Sequence, residues 1–154
     1  MPAEVVATNR RARHEYEILE KIEAGIQLTG AEVKSVRAHR VSLSEAYASV
    51  EDGELWLHDM HIARYDAGGY APQNPTRKRK LLLHRREIRR LEREVAQKGL
   101  TLIPLRIYFS SSGYAKVELG LCRGKRQYEK REAIKRRDET RRTEQAIADH
   151  FRGR

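Results

Sequence analysis

The chain has 154 residues, of which 32 are lysine or arginine and 22 are aspartate or glutamate, so its net charge is +10. This length favours one domain, and the 39% hydrophobic share suffices for one modest core. No apolar run approaches the ~20 residues of a membrane-spanning helix, and we expect no secretory signal. Cys122 is the only cysteine, which excludes an internal disulfide and fits the reducing cytoplasm. A basic cytoplasmic protein of this kind is expected to bind nucleic acid.

The positive charge is concentrated towards the C-terminus. Residues 1–122 carry 20 basic and 16 acidic side chains, whereas residues 123–154 carry 12 and 6, so the net charges are +4 and +6. The alternation of apolar residues also stops near this boundary. We therefore predict a flexible basic arm over residues 1–13, a folded body over 14–122 and a basic tail over 123–154.

The body is predicted to begin with a strand and a short helix. Tyr16, Ile18 and Ile22 alternate with polar residues, as expected of a half-buried strand. Two glycines follow, and a helix is then expected over residues 31–40.

An Asp-Gly dipeptide predicts a hairpin in the middle of the body. Alternating residues over 45–50 and 54–62 flank Glu51-Asp52-Gly53, and Asp-Gly is typical of a two-residue turn. Residues 65–76 have the glycine, proline and asparagine content of a loop.

The second half of the body is predicted to contain a longer helix and two more strands. The helix is expected over residues 84–97, ended by Gly99, and the strands over 100–109 and 114–121. About six short strands with two helices predict a mainly β fold, a small closed or partly open antiparallel barrel. Barrels of this size often bind RNA on an open face or a rim.

Motifs for catalysis and for metal binding are lacking. There is no phosphate-binding loop and no dinucleotide-binding glycine pattern. His58 and His61, three residues apart on one expected strand, would lie on opposite faces. We therefore expect no metal, no cofactor and no enzymatic activity. An RNA-processing enzyme that uses His14 with Glu15 remains an alternative.

Three basic segments are candidates for RNA binding. They are residues 9–14, residues 77–84 and the tail from Arg123 onward. Basic rims on a barrel are typical of RNA-binding proteins, although each segment alone is equally typical of a solvated surface. The tail has no hydrophobic residue between Ile134 and Ala146, so a helix there has no apolar stripe to bury. We expect it to be disordered in solution and helical on RNA phosphates, the alternative being a solubilising tail.

Five segments together resemble the SsrA-binding protein (SmpB) family. They are NRRARHEY at residues 9–16, EAGI at 23–26, GAEVKSVR at 30–37, RKLLLH at 79–84 and GKRQYEKR at 124–131. Their order and spacing match the family from residue 9 into the tail. Many relatives have histidine and aspartate where this chain has Tyr128 and Glu129.

The resemblance implies an OB-like antiparallel barrel with two or three flanking helices and no enzymatic activity. It implies binding to the tRNA-like domain of transfer-messenger RNA (tmRNA), and delivery of that RNA to ribosomes stalled without a stop codon. The implied partners are the 30S subunit with its 16S rRNA, which the tail meets in the empty mRNA channel, and elongation factor Tu. We expect a cytoplasmic monomer.

The resemblance and the basic clusters together predict which residues contact RNA. On the body and at the start of the tail these are Asn9, Arg10, Arg11, Arg13, His14, Glu23, Lys34, Arg79, Lys80, Leu82, Lys116 and Lys125. In the tail, the residues expected to bind the ribosome are Tyr128, Glu129, Lys130, Arg131, Lys135, Arg136 and Arg137.

Three of these predicted contacts have specific reasons. Glu23 would accept hydrogen bonds from a base edge, such as the N–H groups of guanine. Lys116 alternates with Val117 and Leu119 and is therefore expected to point outward. Leu82 would pack on a nucleotide, although a core position is equally consistent with its sequence context.

A second hypothesis, from another functional class, is a structural ribosomal protein that stays permanently bound. Such a protein would be stoichiometric with ribosomes, whereas the adaptor should co-purify with one abundant structured RNA.

Overall fold

The structure, a computed structural model, describes residues 4–65 and 74–124. These residues form mainly antiparallel strands with three helices, which confirms the predicted mainly β class. The strands are β1 (Glu4–Thr8), β2 (Tyr16–Ile26), β3 (Val41–Ser42), β4 (Tyr47–Glu51), β5 (Glu54–His58), β6 (His61–Ile62), β7 (Arg79–Leu82), β8 (Thr101–Phe109) and β9 (Ala115–Gly124). The helices are α1 (Arg10–Glu15), α2 (Gly30–Arg37) and α3 (Arg85–Lys98).

Seven strands form one antiparallel sheet that curls nearly into a barrel. The pairings run from β8 through β4, β5, β7, β2 and β9, and β9 pairs again with β8. The β8–β4 pairing has one residue pair, Ala48 with Leu102, whereas β2 and β9 pair over almost their whole length. The inward side chains form one core that includes Leu55, Leu57 and Leu119, each 0% exposed.

The expected flexible arm is wrong for the described part of residues 1–13. Residues Glu4–Thr8 form β1, which pairs with the C-terminal half of β8, and α1 begins at Arg10. The sequence signal is weak because β1 has only five residues and buries only Val6 fully. Its stability as a strand comes from the backbone hydrogen bonds that the long β8 offers beyond its contact with β4.

The predicted hairpin is confirmed between β4 and β5. Asp52 and Gly53 have φ angles of 51° and 77°, as a type I′ turn requires, and Glu51 pairs with Glu54. The second strand is shorter than expected, since it ends at His58. Asp59 then adopts a φ of 59°, and the short β6 pairs separately with β3.

Both predicted helices are present, with different ends. A capping box starts α2, in which the Thr29 hydroxyl accepts from Glu32 N–H and the Glu32 carboxylate accepts from Thr29 N–H. This helix ends at Arg37, earlier than expected, and His39 follows in the left-handed region at a φ of 59°. Gly99, with a φ of 62°, caps α3.

The strand β7 was not predicted. Its four residues include two cations, and we interpreted them as a basic segment that enters α3. They form a strand because both neighbours, β5 and β2, leave backbone groups for them to pair with.

The last strand extends two residues beyond the expected boundary of the body, to Gly124. Cys122 lies on it and is 0% exposed, and burial raises the pKa of its thiol to about 11. The single cysteine is therefore an unreactive core residue.

Candidate RNA-binding surface

Three of the predicted RNA contacts lie close together on the outer face of β7, β2 and β9. Gly25 of β2 is opposite Leu82 of β7 on one side and opposite Lys116 of β9 on the other. Glu23 is two residues before Gly25 and therefore on the same face, where it is exposed. The strand register thus brings together residues that are up to 93 positions apart in the sequence.

A tyrosine that sequence analysis missed holds Glu23 in place. Tyr108 of β8 is opposite Lys116, and its hydroxyl donates a hydrogen bond to the Glu23 carboxylate. Burial of the phenol, and then this hydrogen bond, raise the pKa of Tyr108 above its ordinary value, so the hydroxyl keeps its proton. The exposed carboxylate is thereby held in one orientation. We call Glu23, Leu82, Tyr108 and Lys116 the Glu23 surface.

Leu82 lies on this outer face and not in the core. Its side chain is 46% exposed, which excludes the alternative that it is a core residue. A Cβ atom added at Gly25 would lie 3.3 Å from the Cβ of Leu82. A side chain at position 25 would therefore crowd Leu82, and glycine keeps the space between Leu82 and Lys116 open.

Lys116 points outward, as predicted from its alternation with buried residues. Val117 and Leu119 are both 0% exposed, whereas Lys116 is only half-buried. On the same face, Arg106 forms a salt bridge with Glu118 at 3.0 Å, and its guanidinium carbon lies 5.2 Å from the centre of the Tyr108 ring. The Glu23 surface thus carries one lysine and one oriented carboxylate beside an exposed apolar side chain.

A second group of predicted contacts lies on α1, and we call Arg10, Arg11, Arg13 and His14 the α1 cluster. All four side chains are exposed because the helix buries only Ala12 against the body. Arg11 donates to Glu15 at 2.8 Å and to Glu45 at 2.6 Å. These two carboxylates, Glu15 first, raise the pKa of Arg11 above its ordinary value.

Asn9 does not lie on the surface, contrary to its prediction as an RNA contact. It is 4% exposed, and its side-chain oxygen accepts from the N–H of Ala12 to cap α1. Its amide nitrogen donates to the carbonyls of Leu43 (3.2 Å) and Pro104 (3.0 Å). Asparagine suits this position because its side chain has both an acceptor, which caps the helix, and a donor, which attaches the helix to the barrel.

The prediction of Arg79 as an RNA contact is also wrong, because its side chain is 0% exposed. It donates to Glu32 at 2.6 Å and to the carbonyls of Met60 (2.6 Å) and Pro75 (3.1 Å). Burial lowers the pKa of Arg79 from its ordinary value. At Glu32, burial opposes ionisation, but hydrogen bonds from Arg77, Thr29 and Arg79 hold its pKa below the ordinary value. Arg79 therefore stabilises the barrel from inside.

The two remaining lysines of the body set lie outside the core. Lys80 is opposite Trp56 on β5 and forms a salt bridge with Glu54 at 2.9 Å. Lys34 is exposed on α2, and its ammonium lies 5.3 Å from the centre of the Tyr65 ring. Both are accessible to a phosphate at the cost of these weak surface contacts.

A match to a known protein family shows how this chain is related to other proteins. Residues 6–149 match the family model described as "SmpB protein". The chain belongs to the SmpB family. Three proteins named "SsrA-binding protein" illustrate the similarity: one from Thermus thermophilus is 60% identical over 131 residues, or 85% of this chain and 91% of the relative.

The two other relatives cover more of the chain. The protein from Limosilactobacillus reuteri is 53% identical and covers 93% of this chain and 90% of its own. The protein from Carboxydothermus hydrogenoformans is 52% identical and covers 96% and 98%. A solved structure described as "tmRNA-SmpB: a journey to the center of the bacterial ribosome" has a TM-score of 0.66 at 59% identity, covering 81% of this chain and 85% of that one.

In this SmpB chain, the α1 cluster and the Glu23 surface lie at opposite ends of one strand. Tyr16, at the start of β2, directly follows α1, whereas Gly25 lies near the end of β2. Nine residues of extended strand separate them by roughly 30 Å. The expected RNA contacts on the body therefore form two groups and not one continuous surface.

The predicted contacts in the tail of this SmpB chain lie outside the described residues. They are Lys125, Tyr128, Glu129, Lys130, Arg131, Lys135, Arg136 and Arg137. Within residues 4–65 and 74–124, no cluster of three or more histidine, cysteine or acidic side chains is arranged to hold a metal ion. No helix in this described part is long and apolar enough to cross a membrane.

Sequence analysis missed two residues of β8 beside Glu23 and Lys116: the partly exposed Arg106, and the buried Tyr108, whose hydroxyl contacts Glu23. Their positions alternate with Ile107 and Phe109 on β8, so their outward direction was available from the sequence. The contact between Tyr108 and Glu23 could not be predicted from the sequence, because it depends on β8 and β2 both pairing with β9.

Proposed function

We propose that this protein binds the tRNA-like domain of tmRNA through the Glu23 surface and delivers that RNA to stalled ribosomes. The observation that carries the proposal is the oriented, exposed carboxylate of Glu23, two residues before Gly25, which lies between Leu82 and Lys116. Relatives at 52–60% identity are named SsrA-binding proteins, and a similar solved chain comes from work on tmRNA-SmpB in the ribosome.

The chemistry of the Glu23 surface suits structured RNA. Lys116 neutralises a phosphate, Leu82 packs against the apolar face of a nucleotide, and the Glu23 carboxylate accepts from the N–H groups of a base edge. An acidic side chain is repelled by phosphates in general, so its place here favours recognition of one particular base over general attraction to RNA.

We assign the tail to the ribosome. Residues 123–154 carry a net charge of +6, and this charge would be attracted to 16S rRNA along an mRNA channel left empty. Elongation factor Tu would accompany the delivery complex, in which the protein acts as a cytoplasmic monomer without enzymatic activity.

Sequencing the RNA that co-purifies with the tagged full-length protein tests the proposal. We expect one abundant species that contains a tRNA-like domain. Ribosomal RNA alone, in amounts stoichiometric with ribosomes, would favour the structural ribosomal protein instead.

Removal of the tail separates RNA binding from ribosome rescue. A chain truncated after Gly124 retains the whole described barrel and should keep most of its affinity for the tRNA-like RNA. It should fail to support tagging of peptides on stalled ribosomes. Tagging at the full rate would mean that the tail only solubilises the protein.

A further inference from the structure

A cavity of about 340 Å³ lies beside α1, far from the Glu23 surface. Its lining includes Arg11, Glu15, Tyr16, Glu45 and Tyr47, contributed by α1, β2, β4 and the segment before β4. We propose that this cavity binds an unpaired guanine of ribosomal RNA. The inference goes beyond the proposed contact with the tRNA-like domain and concerns a different end of the barrel.

Two tyrosine rings give the cavity apolar walls that are already in position. Tyr16 is half-buried and packs against the small cluster that contains Ala12 and Cys122. Tyr47 is 41% exposed, and its ring stacks on His58 with 4.9 Å between the ring centres. His58 is itself held by Ser49 at 2.8 Å. Rings that are fixed in this way can stack with a base at little cost in conformational entropy.

The charges of the cavity favour a base over a phosphate. One guanidinium, from Arg11, stands against two carboxylates, from Glu15 and Glu45, so the formal sum is −1. A phosphate would be repelled by this sum. A base is neutral and presents hydrogen-bonding edges, and Glu45, whose side chain is 72% exposed, leaves its second oxygen accessible to such an edge.

Among the four bases, guanine matches the donors and acceptors best. Its O6 accepts from a guanidinium N–H, while its N1–H and 2-amino group donate to a carboxylate. Arg11 forms salt bridges with Glu15 and Glu45. The guanidinium donor of Arg11 and the carboxylate acceptor of Glu45 are therefore adjacent, as the edge of a guanine requires. Adenine offers neither an O6 acceptor nor a 2-amino donor at these positions.

The position of the cavity indicates which RNA supplies the guanine. Tyr16 pairs with Gly124, the last described residue, so the cavity lies where the tail leaves the barrel. The Glu23 surface is roughly 30 Å away along β2. A tail that follows ribosomal RNA would place the cavity against ribosomal RNA as well.

Base preference can be measured with full-length protein and three fluorescein-labelled pentamers, UUGUU, UUIUU (with inosine) and UUAUU. Attraction between the tail and the phosphates is the same for all three pentamers. The ratios of their dissociation constants therefore report only the effect of the central base. We expect UUGUU to bind more tightly than UUAUU by about fivefold or more. UUIUU, which lacks the 2-amino group, should be intermediate. Equal affinities would overturn the proposal.

Variants connect that preference with the cavity. Glu45→Gln should abolish the preference for guanine, and Tyr47→Ala should weaken all three pentamers while Tyr47→Phe does not. Glu94→Gln is the matched control, because Glu94 is an ion-paired glutamate on α3 that does not line the cavity. A guanine preference that persists in Glu45→Gln would contradict the site.

Kethoxal, which modifies N1 and the 2-amino group of unpaired guanines, identifies the RNA. Wild-type protein and Glu94→Gln should protect a guanine of 16S rRNA in small subunits, and Glu45→Gln should not. Protection that depends on Glu45 in the tRNA-like RNA instead would overturn the ribosomal assignment. If the wild type protects the guanine of 16S rRNA but does not bind the tRNA-like RNA, only the proposed function is contradicted.

Discussion

The interior network around Arg79 and the Glu23 surface contain the same kinds of residue but differ in burial. Arg79 and Glu32 lie within the barrel at 0% and 6% side-chain exposure, whereas Glu23 is exposed and Lys116 only half-buried. Arg79 and Lys80 are neighbours in one basic segment, yet one is a core residue and the other faces outward. Membership in a basic cluster therefore does not decide whether a residue is exposed; the face of the strand does.

The largest expected effect is on the fold. Arg79→Met should lower the free energy of unfolding by about 3–5 kcal/mol, since it removes one partner of a buried ion pair and two hydrogen bonds to carbonyls. The matched control is Lys80→Met, which breaks a surface salt bridge and should cost at most about 1 kcal/mol. Urea unfolding followed by circular dichroism measures both. Similar losses for the two variants would remove the distinction between the interior network and the surface.

A pH titration sharpens the same contrast. The folded-state pKa of Glu32 is lowered, so its contribution to stability is complete above the ordinary glutamate pKa of ~4.3 and is lost as the pH falls through the lowered value. Wild type should therefore be more stable than Glu32→Gln at neutral pH, and the difference should shrink in acid. A difference that is independent of pH would mean that the charge of Glu32 does not stabilise the fold.

At the surface, the loss of a cation should affect RNA binding much more than stability. Arg13→Ala combined with Lys116→Ala should weaken binding to the tRNA-like RNA and reduce the slope of log K against log salt by roughly one unit per lost phosphate contact. Filter binding at several salt concentrations gives the slope. A folded double variant with unchanged affinity and slope would contradict the role of both residues.

The smallest expected effect tests how Glu23 is oriented. Tyr108→Phe removes only the hydroxyl that donates to Glu23, and it should weaken RNA binding by about 0.5–1.5 kcal/mol. Thermal stability should change little, because the ring remains packed. Unchanged RNA affinity would show that Glu23 needs no orienting partner.

Local patterns predicted much of the barrel, because several elements carry their own signals. The Asp52-Gly53 turn requires positive φ angles at both positions, and Gly99 ends α3 in the left-handed region. Strands β8 and β9 are long enough for their alternation to show. In contrast, β1 and β7 are short and become strands only through their neighbours.

The candidate site was predicted only in part, for a related reason. Strand alternation correctly placed Lys116 outward, but it could not show that Arg79 occupies an inward position where an apolar residue is usual. Glu32 is 47 positions from Arg79 in the sequence, and only the tertiary fold brings its carboxylate close enough to accept a hydrogen bond from Arg79. The same holds for Tyr108 and Glu23, which are 85 positions apart.

The most direct test of RNA recognition by the Glu23 surface is the affinity of Glu23→Gln for the tRNA-like RNA. The change removes a negative charge, so a protein that attracts RNA only through charge would bind at least as tightly. If the carboxylate accepts from a base edge, as proposed, the variant should bind about 1–3 kcal/mol more weakly. Equal or tighter binding by the folded variant would contradict the account.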